Sequence, residues 1–132
     1  MPNQKAVDQA IVAYTIAQAG ATPGVYDNID DTELSKGTLP YYKQEIHFLT
    51  DNQVELGNTD LRRRNGKVVI IIYVRRGDGT GLRDDMYDKM VKCFRSKLIG
   101  GATFLNPKLL AKGNTENWNG TAYEIPFYFY EQ

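Results

Sequence analysis

The chain has 132 residues and contains one cysteine, one histidine and one tryptophan. With Cys93 alone no internal disulfide can form, and a reducing compartment is expected. One His and one Cys cannot supply a structural four-ligand zinc shell. Nor does the spacing of His47 and Cys93 suggest a nucleophile with its base. His47 reads as a strand histidine at the sheet surface and Cys93 as a packing thiol. Net charge is absent too: 16 Lys and Arg balance 16 Asp and Glu, so there is no global basic field of the kind a dedicated nucleic-acid binder shows. The opening stretch MPNQKAVDQAIVAYTIAQAG lacks an apolar run, so neither a signal peptide nor a membrane span is expected. Without secretion the Asn119-Gly120-Thr121 sequon is coincidence. These absences leave one expected domain, residues 1–132, soluble and intracellular, with no cofactor and no metal.

What is present is unevenly placed. Residues 61–76 carry a charge of +6 from Arg62, Arg63, Arg64, Lys67, Arg75 and Arg76, whereas residues 27–33 carry −4 from Asp27, Asp30, Asp31 and Glu33. Between the two basic groups lie seven consecutive apolar residues, Val68–Val74. A strand apolar on both faces must be covered on both. Two helices cover one face; the other falls to the chain's own 20–40 segment or to a neighbouring subunit.

Helical spacing of Val7, Ala10, Ile11, Tyr14 and Ala17 predicts a helix over 4–19, capped by Asn3 and stopped by Gly20. Residues 20–40 read as a long irregular connection. Strands are expected at 45–50 and 52–57, with a turn or bulge between them, and at 67–74. A second helix is expected over 82–98, its stripe made of Met86, Met90, Phe94 and Leu98, with Asp84 and Asp85 in the first turn and Lys97 in the last. Further strands are expected after Gly100-Gly101, interrupted at Asn106-Pro107, and over 121–130. Pro126 cannot donate to a ladder, so the last strand is read as an edge or as bulged there. The order predicts an α+β fold: a mixed, mostly antiparallel sheet of four to five strands with two helices packed on one face.

The acidic cluster lacks the alternating spacing of a calcium loop and reads as a solvated loop face. The glycine loop at Gly77 and Gly79 follows a strand and opens a helix, as a phosphate cradle does. However, Leu82 stands where a third glycine belongs, and Asp78, Asp84 and Asp85 bring negative charge. A tight turn is the better reading. The arginines stay open between a solvated surface, a protein interface and phosphate contacts. Arg outnumbers Lys five to one in this stretch, which suits bidentate pairing at interfaces.

Taken in order, LGNTDLRRRNGKVVIIIYVRRGDGTG, the helix carrying DDMYDKMVKCF and the closing WNGTAYEIPFYFYEQ resemble the phage tail terminator-like family. Gly57, Arg63, Arg64, Gly66, Gly77, Gly79, Asp88, Phe94, Trp118, Pro126 and Phe127 carry the resemblance, with Gly57, Gly66, Gly77 and Gly79 expected at turns. It runs from about residue 5 to the end and is strongest over 57–130. Residues 20–40 are longer and more acidic than the family pattern.

The resemblance implies a structural virion protein rather than an enzyme. Such a protein forms a hexameric homo-oligomeric ring at the head-proximal end of the tail. It caps the tail tube protein, ends tube polymerisation and offers a docking surface to the head–tail connector. Assembly would take place in the host cytoplasm. Arg62, Arg63, Arg64, Arg75 and Arg76, with Asp27, Asp30 and Asp31, are then interface candidates for subunit or tube docking. Alternatively Arg62–Arg64 face a central channel through which DNA passes. The rival readings are a head-closure or neck connector ring and a small nucleic-acid binding protein.

Overall fold

A computed structural model describes residues 3–27, 31–53, 62–77, 81–115 and 117–131. The chain opens with α1, Gln4–Ala19. The Asn3 side chain accepts from the Ala6 N–H at 2.8 Å, satisfying one of the helix's free N-terminal donors. Gly20, at φ 60°, ends it. The segment expected to be irregular holds a short strand, β1 (Gly24–Tyr26), and one helical turn, α2 (Thr32–Ser35).

The strand expected at 45–50 continues through 52–53 as one long strand, β2 (Tyr41–Gln53), with a register shift between Phe48 and Thr50 rather than a turn; residues 54–57 of the expected next strand lie outside the described residues. It pairs antiparallel with β3 (Arg62–Arg75), so the apolar run sits inside a fourteen-residue strand. Next comes α3 (Gly81–Met90). The predicted helix to Leu98 is cut short. Bonds from Phe94 N–H to the Val91 carbonyl and from Arg95 N–H to that of Lys92 tighten the next turn to 3₁₀ geometry, and Ser96 at φ 57° reverses the chain. Met86, Met90 and Phe94 are buried as the stripe requires, but Leu98 begins β4 (Leu98–Ile99) and is 73% exposed. Lys89, not Lys97, occupies the helix's last turn. Strands β5 (Ala102–Phe104), β6 (Lys108–Asn114) and β7 (Trp118–Glu131) complete the chain.

The fold is α+β, and its sheet is larger than the four to five strands expected. Among the described residues there are three α-helices and a seven-stranded sheet in the order β1-β2-β3-β7-β5-β4, with β6 also pairing β7. The sheet curls into a half-barrel. Only β1 on β2 is parallel among the described pairs. The extra strands come from short stretches whose two to three residues carry no period-2 signal.

Pro126 is not on an edge. Its strand, β7, lies between β3 on one side and β5 and β6 on the other. The proline sits where β6 pairing has ended at Glu124 and β5 pairing begins at Phe127. Its carbonyl accepts from the Leu105 N–H at 2.9 Å, and its missing donor costs no ladder bond because neither partner strand is opposite.

One sheet face carries the core. Val68, Ile70, Ile72 and Val74 of β3 and Ile125, Phe127 and Phe129 of β7 meet Val7 and Ile11 of α1 and Met86 and Met90 of α3. Tyr14 meets Phe94 edge-on at 5.1 Å and donates its hydroxyl to the Cys93 carbonyl at 2.8 Å. Gly66 was expected at a turn, yet it lies within β3 and is buried. A Cβ there would come within 2.5 Å of the Phe127 ring and 2.7 Å of the His47 carbonyl oxygen, so close approach is what requires glycine. Gly77, at φ 97°, is a turn as expected. Gly57 and Gly79 lie outside the described residues.

Candidate functional site

Because strand side chains alternate, the registers assign the second sheet face row by row. The first row is Tyr41, Tyr73, Gly120 and Gly113, and the second is Lys43, Ile71, Ala122 and Ala111. Glu45, Val69, Glu124 and Lys108 form the third, followed by His47, Lys67 and Pro126. At the far end of this face lie Asn65 with Tyr128 and Arg63 with Tyr130.

The five arginines do not form one patch. Arg63 and Arg75 are twelve residues apart on one strand, about 40 Å at roughly 3.3 Å per residue. Arg63 packs its guanidinium 4.3 Å from the Tyr128 ring centre and donates to Asn65 at 3.3 Å. Arg64 turns to the helical face, where it donates to Glu131 at 3.1 Å and to Gln4 of α1 at 2.8 Å. Arg62 faces Gln53 and Glu131 in the ladder. At the opposite end, Arg75 lies 5.5 Å from the Trp118 ring centre and donates to the Gly37 carbonyl at 3.3 Å. Arg76 is exposed in the turn.

The acidic residues also separate. Asp27, in a left-handed conformation at φ 47°, accepts from the Ile46 N–H at 3.1 Å and so extends the β1–β2 junction. Its charge, after burial, helps to raise the Asp8 carboxyl above its ordinary range. Asp31 stands before α2 and accepts from the Tyr41 hydroxyl at 3.1 Å instead of capping the helix. Asp30 lies outside the described residues.

Sequence reasoning missed the aromatic recess that Asp31 helps to form. The Trp118 indole N–H donates to the Ser35 carbonyl at 2.9 Å, which pins α2 over this end of the second face. Tyr41 stacks on Tyr73 at 4.6 Å and meets Trp118 edge-on at 5.1 Å. Asp31, Ser35, Tyr41, Tyr73, Thr115 and Trp118 line a recess of about 400 Å³. Burial, then the charges of Asp31 and Glu45, raise the Tyr73 hydroxyl pKa. Tyr41 is raised by burial and its bond to Asp31. Beside the recess, and sharing Tyr73 and Thr115 with it, an open trough of about 300 Å³ runs over Ile71, Ala111, Gly113, Gly120 and Ala122. The signal available beforehand was the pair of aromatic residues opposite two glycines, but their pairing becomes visible only once the register is known.

His47 is exposed and 3.3 Å from Glu45 on the same strand. Burial pushes the Cys93 thiol up to about 11. Among the described residues no group of three His, Cys, Asp or Glu could hold a metal ion. No helix among them is long and apolar enough to cross a membrane.

No family model and no curated protein matches the chain. Solved structures do match, and one of them, whose name describes no function, aligns with a TM-score of 0.67 at 12% identity, covering 98% of this chain and 96% of its own. That likeness shows the fold over the whole chain and nothing finer.

Proposed function

We propose that this chain is a ring-forming structural protein of the tail terminator type, capping a phage tail tube and presenting a surface to the head connector. The observation that carries the reading, beside the resemblance of residues 57–130, is the separation of opposite features along β3. Arg62–Arg64 stand at its start, and the acidic aromatic recess lies at its end beside Arg75, about 40 Å away. Features so far apart cannot meet within one copy. They suit a head-to-tail contact, in which one copy's first surface meets the next copy's second, and such heterologous contacts form a ring when the rotation between copies closes.

The same separation argues against a continuous phosphate grip. Arg63, Arg64 and Arg75 already hold aromatic, carboxylate and carbonyl partners within the chain.

The reading is tested by native mass from light scattering over a protein concentration series. A species near six times the 14.9 kDa chain is expected. Addition of purified tail tubes should then stop their elongation, and preferential binding to portal complexes would assign the head-closure role instead. A chain that stays monomeric, both alone and with tubes or portals, refutes the reading.

A further inference from the structure

The recess between α2 and the sheet is built for a particular kind of ligand. Three aromatic side chains border it: Trp118, Tyr41 and Tyr73. Asp31 supplies a carboxylate at its rim, and no cation pairs with that carboxylate among the described residues. Glu45 stands two rows along the same face, close enough for its charge to be felt at Tyr73. The neighbouring guanidinium, Arg75, is tied to the Gly37 carbonyl and does not line the recess. The half-buried Tyr73 ring, the rims of the buried Tyr41 and Trp118 rings and a carboxylate without a cationic partner among the described residues together favour a planar, weakly hydrated cation over an anion or a neutral group. The chain shows this preference at the far end of the same face, where Arg63 lies over Tyr128, and at the recess wall itself, where Arg75 lies 5.5 Å from the Trp118 ring centre.

We infer that the recess lined by Asp31, Tyr73 and Trp118 is a binding site for a guanidinium group. A volume of about 400 Å³ admits an arginine side chain. The group can come from a free arginine-like ligand or from the arginine of a second copy. The second source rests on the ring reading; the chemistry of the site does not. The chain's own Arg62–Arg64 stands too far along β3 to reach it.

Trp118 is the only tryptophan, so its emission reports on the recess directly. The protein is first diluted until light scattering gives the mass of one chain, then titrated with N-acetyl-arginine amide. The neutral, nearly isosteric N-acetyl-citrulline amide serves as control. A saturable change with arginine, at least tenfold weaker with citrulline, is expected. Asp31→Asn keeps an acceptor for Tyr41 and should weaken arginine binding at least tenfold while leaving the thermal midpoint in place. Equal responses to the two amides, no response to either, or an unchanged response in Asp31→Asn overturns the site. The sources are separated by raising protein concentration without ligand. An emission change that tracks self-association and is lost in Asp31→Asn assigns the guanidinium to a second copy. Titratable binding with no such change assigns it to a free ligand, and the ring is then judged on light scattering alone.

Discussion

Gly66→Ala tests the packing of the sheet more sharply than any truncation would. Gly66 is buried in β3, and a methyl group there would stand 2.5 Å from Phe127 Cζ and 2.7 Å from the His47 carbonyl oxygen. Carbon atoms prefer separations of about 3.5–4.0 Å, so roughly 1 Å has to be recovered on two sides. The ring cannot simply swing aside. Phe127 is 2% exposed and packs on Phe104 at 5.2 Å, Phe48 at 5.8 Å and Phe129 at 6.4 Å between ring centres. The carbonyl belongs to a paired strand and moves only with its ladder. Overpacking of this kind costs about 2–3 kcal/mol, against a gain of about 0.4–1 kcal/mol from the stiffer unfolded chain. With an unfolding entropy of about 2.1 cal/mol/K per residue, a net loss near 2 kcal/mol lowers Tm by about 7 °C. Calorimetry of Gly66→Ala beside Gly113→Ala makes the comparison, because a Cβ at Gly113 meets nothing within 4 Å. Combining Gly66→Ala with Phe127→Leu relieves the ring contact but not the carbonyl contact, so the double variant should lose less than the sum of the singles. If Gly66→Ala melts within 2 °C of the parent, or no lower than Gly113→Ala, close approach is not why glycine occupies this position.

Four further outcomes follow from buried and half-buried groups. Gln44 is fully buried and donates its amide to Thr15 Oγ1 at 2.6 Å, so Thr15→Val should cost about 1–3 kcal/mol in urea unfolding. Much of that loss should return in Thr15→Val with Gln44→Met. Arg64→Ala removes the links to Glu131 and Gln4 and should cost roughly 1–2 kcal/mol, whereas Arg76→Ala, in an exposed turn, should stay within about 0.5 kcal/mol; equal effects would refute the tie between β3 and α1. Cys93, with its thiol pushed up to about 11, should react with iodoacetamide at pH 8 about a hundredfold more slowly than an unshifted thiol. The same shift has a stability sign. Between pH 9 and 11 the unfolded thiol has released its proton while the folded one retains it, so stability is intact below about pH 9 and falls as pH rises. Tyr26 and Tyr41, also raised, add to the alkaline loss, and Cys93→Ser should shift its onset upward.

How much of this was legible depended on the range of the interaction concerned. The first helix was readable because its cap, stripe and terminal glycine all lie within the helix itself. The burial of Met86, Met90 and Phe94 was readable for the same reason, although the helical geometry assigned to Phe94 was not. The turn from Lys92 to Ser96 is fixed by Phe94 docking under Tyr14, a contact eighty residues apart in sequence. Pro126 was misread because the rule about proline and edges considers one strand at a time. Here the missing donor falls in a gap between two partner strands, and only the topology creates that gap. The recess escaped notice because Asp31, Tyr41, Tyr73 and Trp118 come from four separate segments. Asp31 could be read only as part of an acidic loop, and Trp118 only as one position in a family pattern.

The apolar run Val68–Val74 raised the question of what covers its second face, and the answer changes along its length. At the Tyr73 end the chain covers itself: Trp118 holds α2 in place, and Tyr41 stacks on Tyr73. At Val69 the long side chains of Glu45 and Glu124 flank the strand, and the residue is 6% exposed. At Ile71 the neighbours toward β6 are Ala122 and Ala111, too short to reach over it, and the trough opens there. A sheet that needed only to be stable would place larger residues at these positions, since burying each added methylene is worth about 0.8 kcal/mol. Small residues beside an acidic aromatic recess instead leave room over this part of the second face among the described residues. The open part of this face thus runs from the recess at Asp31 and Trp118 along Ile71 toward Ala111.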